Sequence, residues 1–415
     1  MLSTVNPPSR LLTQTLESSG SNGHAKESEG RLVVVLGAGV NGLHAAVSLL
    51  EAGYAVSVIG KYLPGDLDPK YPSEIAASQW ASDLKKTDAT EREWYKDAYD
   101  LWIELSHPKH DQINGAGISR RTYYQYQDKP GPEALEKGAE AYWYRDIVKD
   151  FKVIPADQLP NGIKWGTSFT SFAIDAPKYL QYLQNRVLAL GGTIQRATLP
   201  TGVGIATVLS TANDILKVGA GNVFAYVNAT GLGAKDVFGD KNVFPMRSQI
   251  VHIKGECENL VDRLEEGNMI SDADDSGLVP ITYVTPRVGS GFTVLGGHMH
   301  EGNWNEEVDP AVSRKLLELG KWLAPELLNE KGELEVVSEH VGLRPHRTGG
   351  VRVEVEKVKG LGDKEEVAVI HDYGHSHGGW IKSVGSAKKV LSLVNGLAPQ
   401  SVMESIKESI VSSVS

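Results

Sequence analysis

At 415 residues the chain is long enough for two domains with sizeable cores. A formal net charge of −10 with no dense Lys/Arg cluster argues against nucleic acid or an anionic membrane surface as a partner. A single cysteine, Cys257, excludes a disulfide framework and a cysteine-based zinc site, and fits a reducing compartment. The first 30 residues are rich in Ser, Asn and Gly and lack an apolar h-region, so they read as a disordered tail and not a secretory signal. The most apolar stretch, Leu32 to Leu50, carries Asn41, His44, Ser48 and three glycines and is no membrane span.

Leu32 to Leu36 is a short Val-rich run, as in a parallel strand buried on both faces. Gly37-Ala38-Gly39-Val40-Asn41-Gly42 then satisfies G-x-G-x-x-G. Leu43, Ala46, Val47 and Leu50 follow at helical spacing, and Tyr54 to Ile59 supplies the next strand. In this setting the first glycine permits a tight turn, the second lets a pyrophosphate approach the backbone, and the third lets helix and strand pack closely. The helix start adds free N–H groups and partial positive charge, which suit phosphate. The acid that usually holds an adenosine ribose at the end of the second strand is missing, since Gly60-Lys61-Tyr62 stands there.

Leu63 to Asp83 reads as a loop passing close to the nucleotide, with Ala76-Ala77-Ser78 small enough to admit a flat ring system. Glu91 to Leu105 is helical, and Ile118 to Gln127 is an aromatic-rich strand. Asp146 to Pro155 suits a strand and connector. Phe169 to Asp175, Pro177 to Leu190 and Thr193 to Thr198 read as strand, helix and strand, a second βαβ-like unit. Asn222 to Asn228 is a buried strand followed by the small turn Ala229-Thr230-Gly231, suited to the carboxyl edge of a nucleotide-binding sheet. Ser248 to Lys254 and Tyr283 to Leu295 look like strands of a different sheet. The acidic stretch between them, Gly255 to Leu278, reads as a loop able to cover a site. Ala311 to Leu328 carries helix broken at Pro325. Val351 to Glu356 alternates as a half-exposed antiparallel strand, Val367 to Ile370 is a short buried strand, and Ser386 to Val394 is a closing helix.

Gly374-His375-Ser376-His377-Gly378 satisfies G-x-S-x-G after a strand, yet no histidine or aspartate follows His377, so a hydrolase triad cannot be completed in its usual order. His298 and His300 would share one face of a strand, but without a further placed ligand they carry no metal site, and none is expected.

Gly342-Leu343-Arg344-Pro345-His346-Arg347, Val351-Arg352-Val353-Glu354 and Val369-Ile370-His371-Asp372-Tyr373-Gly374-His375 together resemble the D-amino-acid oxidase and D-aspartate oxidase family. Gly296-Gly297 with Gly302-Asn303-Trp304-Asn305, Tyr283-Val284-Thr285-Pro286, Tyr179-Leu180-Gln181 and Asn228-Ala229-Thr230-Gly231 match further family motifs in the same order. The resemblance implies an α/β chain in which a Rossmann-like FAD-binding domain (31–90, 150–235 and 340–395) interleaves with an α+β substrate domain (91–149 and 236–339) on a mostly antiparallel sheet. Residues 396–415 read as a C-terminal tail. It implies FAD as cofactor, and oxidation of a D-amino acid by hydride transfer from Cα to flavin N5. O2 would reoxidise the flavin to give H2O2, and the imino acid would hydrolyse to a 2-oxo acid and ammonia.

By the same resemblance Arg344 binds the substrate carboxylate as a planar fork, and Tyr283 adds a hydrogen bond to it. His377 and Met299 join the substrate site. Gly37 to Gly42, Lys61, Ala76, Ala77, Ser78, Thr230, Gly231, Ser376, His377, Gly378, Gly379 and Trp380 hold the cofactor. The positive end of the closing helix would stabilise charge at the N1–C2=O edge.

Two departures stand out. Val279 occupies the position of a lid tyrosine, and Met299 occupies the position where D-aspartate oxidases carry an arginine, which favours neutral or apolar D-amino acids. D-Aspartate oxidation is the alternative, followed by a glycine- or sarcosine-type amine oxidase, a flavin-binding protein without turnover, and an NAD-dependent dehydrogenase. Cytoplasm or peroxisome is the expected location, although Ser413-Val414-Ser415 is no S-K-L signal, and a homodimer is the expected assembly.

Overall fold

The computed structural model of the chain describes residues 30–82, 88–107, 115–264, 278–361 and 364–397. The segments read as tails, at 1–29 and 398–415, and most of the acidic cover stretch, at 265–277, lie outside the described residues.

In chain order the first strands are β1 (Leu32–Leu36), β2 (Ala55–Gly60), β3 (Ser78–Gln79), β4 (Ile118–Gln127), β5 (Lys152–Val153), β6 (Trp165–Ile174), β7 (Thr193–Arg196) and β8 (Val223–Asn228). They continue as β9 (Val243–Lys254), β10 (Leu260–Leu264), β11 (Leu278–Arg287), β12 (Phe292–His298), β13 (His300–Glu301), β14 (Val336–Arg347), β15 (Arg352–Leu361) and β16 (Lys364–Tyr373). The longer helices are α1 (Val40–Glu51), α2 (Ala89–Leu105), α3 (Ala176–Ala189), α4 (Ile205–Leu216), α5 (Pro310–Leu323) and α6 (Gly379–Asn395).

One sheet has the order β15-β16-β8-β1-β2-β7. Five of its strands run parallel and β15 closes the edge antiparallel to β16. Its central strand shows why a Val-rich run makes a parallel strand. Val33 and Val35 enter the core beneath α1 and α6, while Val34 and Leu36 enter a second core on the opposite face with Val208, Leu209 and Ala212 of α4. All four are fully buried, which contributes about 1.5–3 kcal/mol each relative to exposure. Sheet faces covered on both sides are what parallel strands require.

The second sheet has the order β13-β9-β12-β11-β10-β4-β6-β3, with β14 on β9 and β5 on β6. It is antiparallel except where β10 runs parallel to β4. The resulting mixed α/β architecture is the expected class, and β4 spans the residues expected of it.

Three local readings change. Phe169 to Thr198 is not a βαβ unit, because β6 pairs in the larger sheet and β7 in the smaller, so α3 carries the chain between sheets. Local periodicity registers strand and helix but not which sheet a strand joins. The stretch Gly255 to Leu278 is not all loop, since Leu260–Leu264 forms β10 with the burial alternation Leu260, Asp262, Leu264 inward. The closing helix begins at Gly379, not Ser386, because Gly378 and Gly379 adopt helical or near-helical backbone directly after the turn.

The third glycine of the first turn is buried behind it, and a Cβ there would stand 2.0 Å from the Gly37 carbonyl oxygen. Gly42→Ala is therefore expected to lower stability by about 1–3 kcal/mol through overpacking. Thermal denaturation checks this, and an unchanged melting temperature would contradict the packing described.

Candidate active site

The carboxyl ends of β1, β8 and β16 face the inner strands of the larger sheet across one cavity of about 450 Å³. The first glycine turn forms one wall. Gly37 has φ +115 and its N–H donates to the Ile59 carbonyl at 2.7 Å; a Cβ on it would come within 2.2 Å of the Ala229 carbonyl oxygen. The turn therefore touches the end of β8, and only glycine fits. The α1 start has no acidic residue in its first turn and no side-chain cap on Gly39, and the Val40 N–H reaches Ser73 Oγ at 3.3 Å. Its partial positive charge is thus left for an anion.

Gly37, Ala38, Gly39, Val40 and Asn41 line the cavity, and so do Lys61, Ala76, Ala77, Ser78, Thr230 and Gly231. From the other end come Ser376, His377, Gly378, Gly379 and Trp380, together with His375. Of the cofactor residues expected from sequence only Gly42 does not face the cavity; it packs helix against turn. Lys61 lies with Nζ 4.8 Å from the Tyr62 ring centre. Ser376 has φ +60, an uncommon conformation for a residue with a side chain, in the turn that leads into α6.

Arg344, Tyr283 and Met299 converge at the far part of the same cavity. An Arg344 Nη2 donates to the Tyr283 hydroxyl at 3.4 Å and Nη1 lies 3.5 Å from Met299 Sδ. Among the described residues no carboxylate lies within ion-pairing distance of Arg344, so a permanent fork of donors faces the cavity without a partner anion. The Gly296-Gly297 pair explains how Tyr283 reaches this place. A Cβ at Gly296 would lie 2.1 Å from Tyr283 Cζ, so the ring rests directly on the bare backbone of β12.

Each position of the Gly342–Arg347 segment on β14 has its own job. A Cβ on Gly342 would meet Ile75 Cδ1 at 2.9 Å, and the Leu343 N–H donates to the Pro69 carbonyl at 2.8 Å, so the strand fits closely against the 69–76 loop. Pro345 packs against Gly231. Arg347 Nε donates to Asp240 Oδ2 at 2.8 Å, and the Tyr373 hydroxyl donates to the same oxygen at 2.7 Å. Arg352 Nη1 donates to Tyr373 Oη at 3.0 Å and Nη2 to Glu356 at 3.0 Å. His371 joins the chain between Glu356 (3.0 Å) and Asn228 (3.1 Å), and Asn228 Oδ1 accepts from the Thr230 backbone and hydroxyl. Burial and the Arg352 charge hold His371 below its usual pKa, and Asn228 Nδ2 can only donate. His371 is thus neutral with its proton on Nε2. The three motifs form one polar chain that ties β14 and β15 to the ends of β16 and β8.

His346 is pushed down to about 4 by burial and by the Arg344 and Lys382 charges, and stays neutral. His375 is buried with Nε2 3.4 Å from Asp372 Oδ1. His298 is buried at the end of β12, and His300 lies on β13 with Nδ1 3.4 Å from Asn303. Among the described residues no three His, Cys, Asp or Glu side chains gather as a metal-holding group. The Val279 side chain lies outside the described residues.

Several cavity residues had no sequence signal. Tyr71, whose hydroxyl donates to the Ala38 carbonyl at 2.7 Å, and Ser73 come from a loop read only by its small residues. Ala197, Thr198 and Leu199 follow an edge strand. Gln79 and Asp262 were hidden because their partners lie on other strands.

A parallel nucleotide-binding sheet, a phosphate-type glycine turn and an arginine facing one shared cavity define a dinucleotide-dependent oxidoreductase. Residues 33–393 match the family model described as FAD dependent oxidoreductase, and the chain belongs to that family, the D-amino-acid oxidase family. It is 31% identical over 373 residues to a D-amino-acid oxidase of Fusarium vanettenii, covering 88% of this chain and 96% of that protein. It is 28% identical over 409 residues to a D-aspartate oxidase of Cryptococcus neoformans, covering 88% and 96%. The glycine oxidase structure from Bacillus cereus shares the fold at a TM-score of 0.64 and 17% identity, covering 89% of this chain and 96% of that one.

Asp240 is drawn one way by burial, which raises its pKa, and the other by hydrogen bonds from Arg347 and Tyr373, which win and hold it at about 2 against an ordinary 3.8. A carboxyl depressed in the folded state contributes stability that is complete above 3.8 and lost as pH falls toward 2. Asp240→Asn is expected to be less stable at pH 7 by about 1–3 kcal/mol, with a shallower loss between pH 4 and 2. Denaturant unfolding at both ends of that range checks it; equal stability at pH 7 would contradict the role given to Asp240.

Proposed function

We propose that the chain oxidises D-amino acids to 2-oxo acids, ammonia and H2O2, taking neutral D-amino acids ahead of acidic ones. The observation that carries this is Arg344, a guanidinium without a carboxylate partner among the described residues, in the cavity that the glycine turns also line.

FAD fits the residues present. The cradle at Gly37 and Gly39 admits no Cβ at one and only a tight one at the other, and the buried Asn41 Oδ1 and Trp380 Nε1 have no hydrogen-bond partner among the described residues. Gly39 and the α1 start suit the pyrophosphate, Lys61 the adenosine end, and Ala76 to Ser78 with Gly378 to Trp380 the ring system. When bound, FAD supplies the two-electron acceptance and passes the electrons to O2.

The chain's own part is orientation. Arg344 and Tyr283 fix the substrate carboxylate through two directed contacts, so the Cα–H bond has one direction to point. No general base is required of the protein. Met299 beside Arg344 offers a thioether where a second carboxylate would need a cation, which supports neutral over acidic side chains. The relative that oxidises D-aspartate keeps that substrate as the second reading.

The segment division read from sequence is the proposed domain division, with β3, β5, β6 and most of β14 joining the larger sheet from segments on the nucleotide side. A homodimer and a cytoplasmic or peroxisomal location complete the reading. Burial among Val251, Leu295 and Leu316 pushes the Cys257 thiol up to about 12, so the lone cysteine is a poor nucleophile at neutral pH. Among the described residues no helix is long and apolar enough to cross a membrane.

The purified protein should be yellow and should consume O2 with D-alanine and D-methionine but not with their L-isomers. Oxygen-electrode traces with paired isomers check this. Equal rates with both, or turnover confined to glycine or sarcosine, would overturn it.

A further inference from the structure

Beyond Arg344 and Tyr283, the cavity wall carries a polar group whose orientation the fold fixes. Gln79 ends β3 and lines the cavity. Its Nε2 donates to Asp262 Oδ1 at 3.0 Å, and its Oε1 accepts from Thr285 Oγ1 at 2.9 Å. A carboxylate cannot donate, so Asp262 forces the NH2 end of the amide toward itself and leaves no flipped alternative. Asp262 is fully buried and its Oδ2 accepts from the Tyr123 hydroxyl at 2.6 Å, which fixes the carboxylate in turn. Burial raises its pKa, and the Tyr123 and Gln79 hydrogen bonds, one accepted by each oxygen, oppose that and favour the carboxylate form. No Lys or Arg pairs with it among the described residues.

This group lies beside the substrate carboxylate anchor. Asp262 is the cross-strand partner of Tyr283 in the β10–β11 ladder, so the two side chains share one face. Thr285 is two residues along the same strand and shares that face too. Gln79 is therefore held next to Tyr283, and its bonds to Asp262 and Thr285 leave over its second Nε2 hydrogen and one Oε1 lone pair.

We propose that Gln79 is a substrate-contacting specificity residue, positioned by Asp262, and that it selects D-amino acids whose neutral side chain ends in a hydrogen-bonding group, a carboxamide best. This rests on the proposed D-amino-acid oxidation and narrows it. A carboxamide can give an N–H to Oε1 and accept from Nε2. An aliphatic isostere buries Gln79 unpaired, which costs discrimination of the kind polar sites show against apolar analogues. A carboxylate meets an Oε1 lone pair and the unneutralised charge of Asp262 behind it.

The test uses three side chains of one shape on the FAD-loaded enzyme: D-asparagine, D-leucine and D-aspartate, with D-alanine as the reference. The wild type should show kcat/KM for D-asparagine about tenfold or more above that for D-leucine and for D-aspartate. Gln79→Leu should bring the asparagine-to-leucine ratio to about one or below, mainly through KM. Asp262→Asn, which no longer fixes the amide, should reduce that ratio and raise D-aspartate relative to D-asparagine. A purely structural role would lower all substrates together and leave the ratios alone. Ratios within twofold of one in the wild type, or unchanged in both variants, overturn the inference while D-alanine turnover leaves the broader reading standing. No turnover with any D-amino acid overturns both.

Discussion

The contact on which the structure turns is that between Gly37 and the carbonyl of Ala229, where there is no room for a single carbon atom. It sets the first glycine turn against the end of β8, and the Ala229 N–H returns a 2.8 Å hydrogen bond to Leu36. The ends of β1 and β8 are thereby held level, the start of α1 opens toward the cavity, and the Thr230–Gly231 turn is brought beside it. A nucleotide site follows from this closeness, since backbone N–H groups can approach a phosphate only where side chains are absent.

The second element is β14, which belongs to the larger sheet but works as a joint between both. Its residues alternate in duty. Gly342 gives way to Ile75, Arg344 faces the cavity, Pro345 meets Gly231, and Arg347 binds the Asp240 carboxylate that also holds Tyr373. The arginine that would bind substrate is thus placed by neighbours fastened to the nucleotide side. A charged group held in this way loses little rotamer freedom on binding, which is how a scaffold turns binding into orientation.

Much of this was legible in the sequence because it is local or motif-borne. The β1–α1–β2 unit follows from a Val run, three glycines and a helical stripe, and β4 from its aromatic-rich run. Arg344, Tyr283 and Met299 come from the family resemblance, and they do converge. What stayed hidden depends on contacts distant in sequence. The helix α4 lacks strong start and stop signals, and the sheet that claims β6 is decided by its pairing with β4. Asp262 sits in a segment rich in acids and becomes distinctive only when Tyr123 and Gln79, 139 and 183 residues away, close on it. Likewise the reason for Gly296 is invisible until the Tyr283 ring lies on it.

Everything proposed for the reaction depends on Arg344 anchoring the substrate by its carboxylate. Anaerobic mixing of the FAD-loaded enzyme with D-alanine, following loss of flavin absorbance in the wild type and Arg344→Leu, tests this most directly. The variant should keep its flavin, and the D-alanine concentration for half-maximal reduction rate should rise by about 10²-fold or more, in line with loss of a charge-assisted bidentate contact. An unchanged half-maximal concentration in a flavin-replete variant would contradict it.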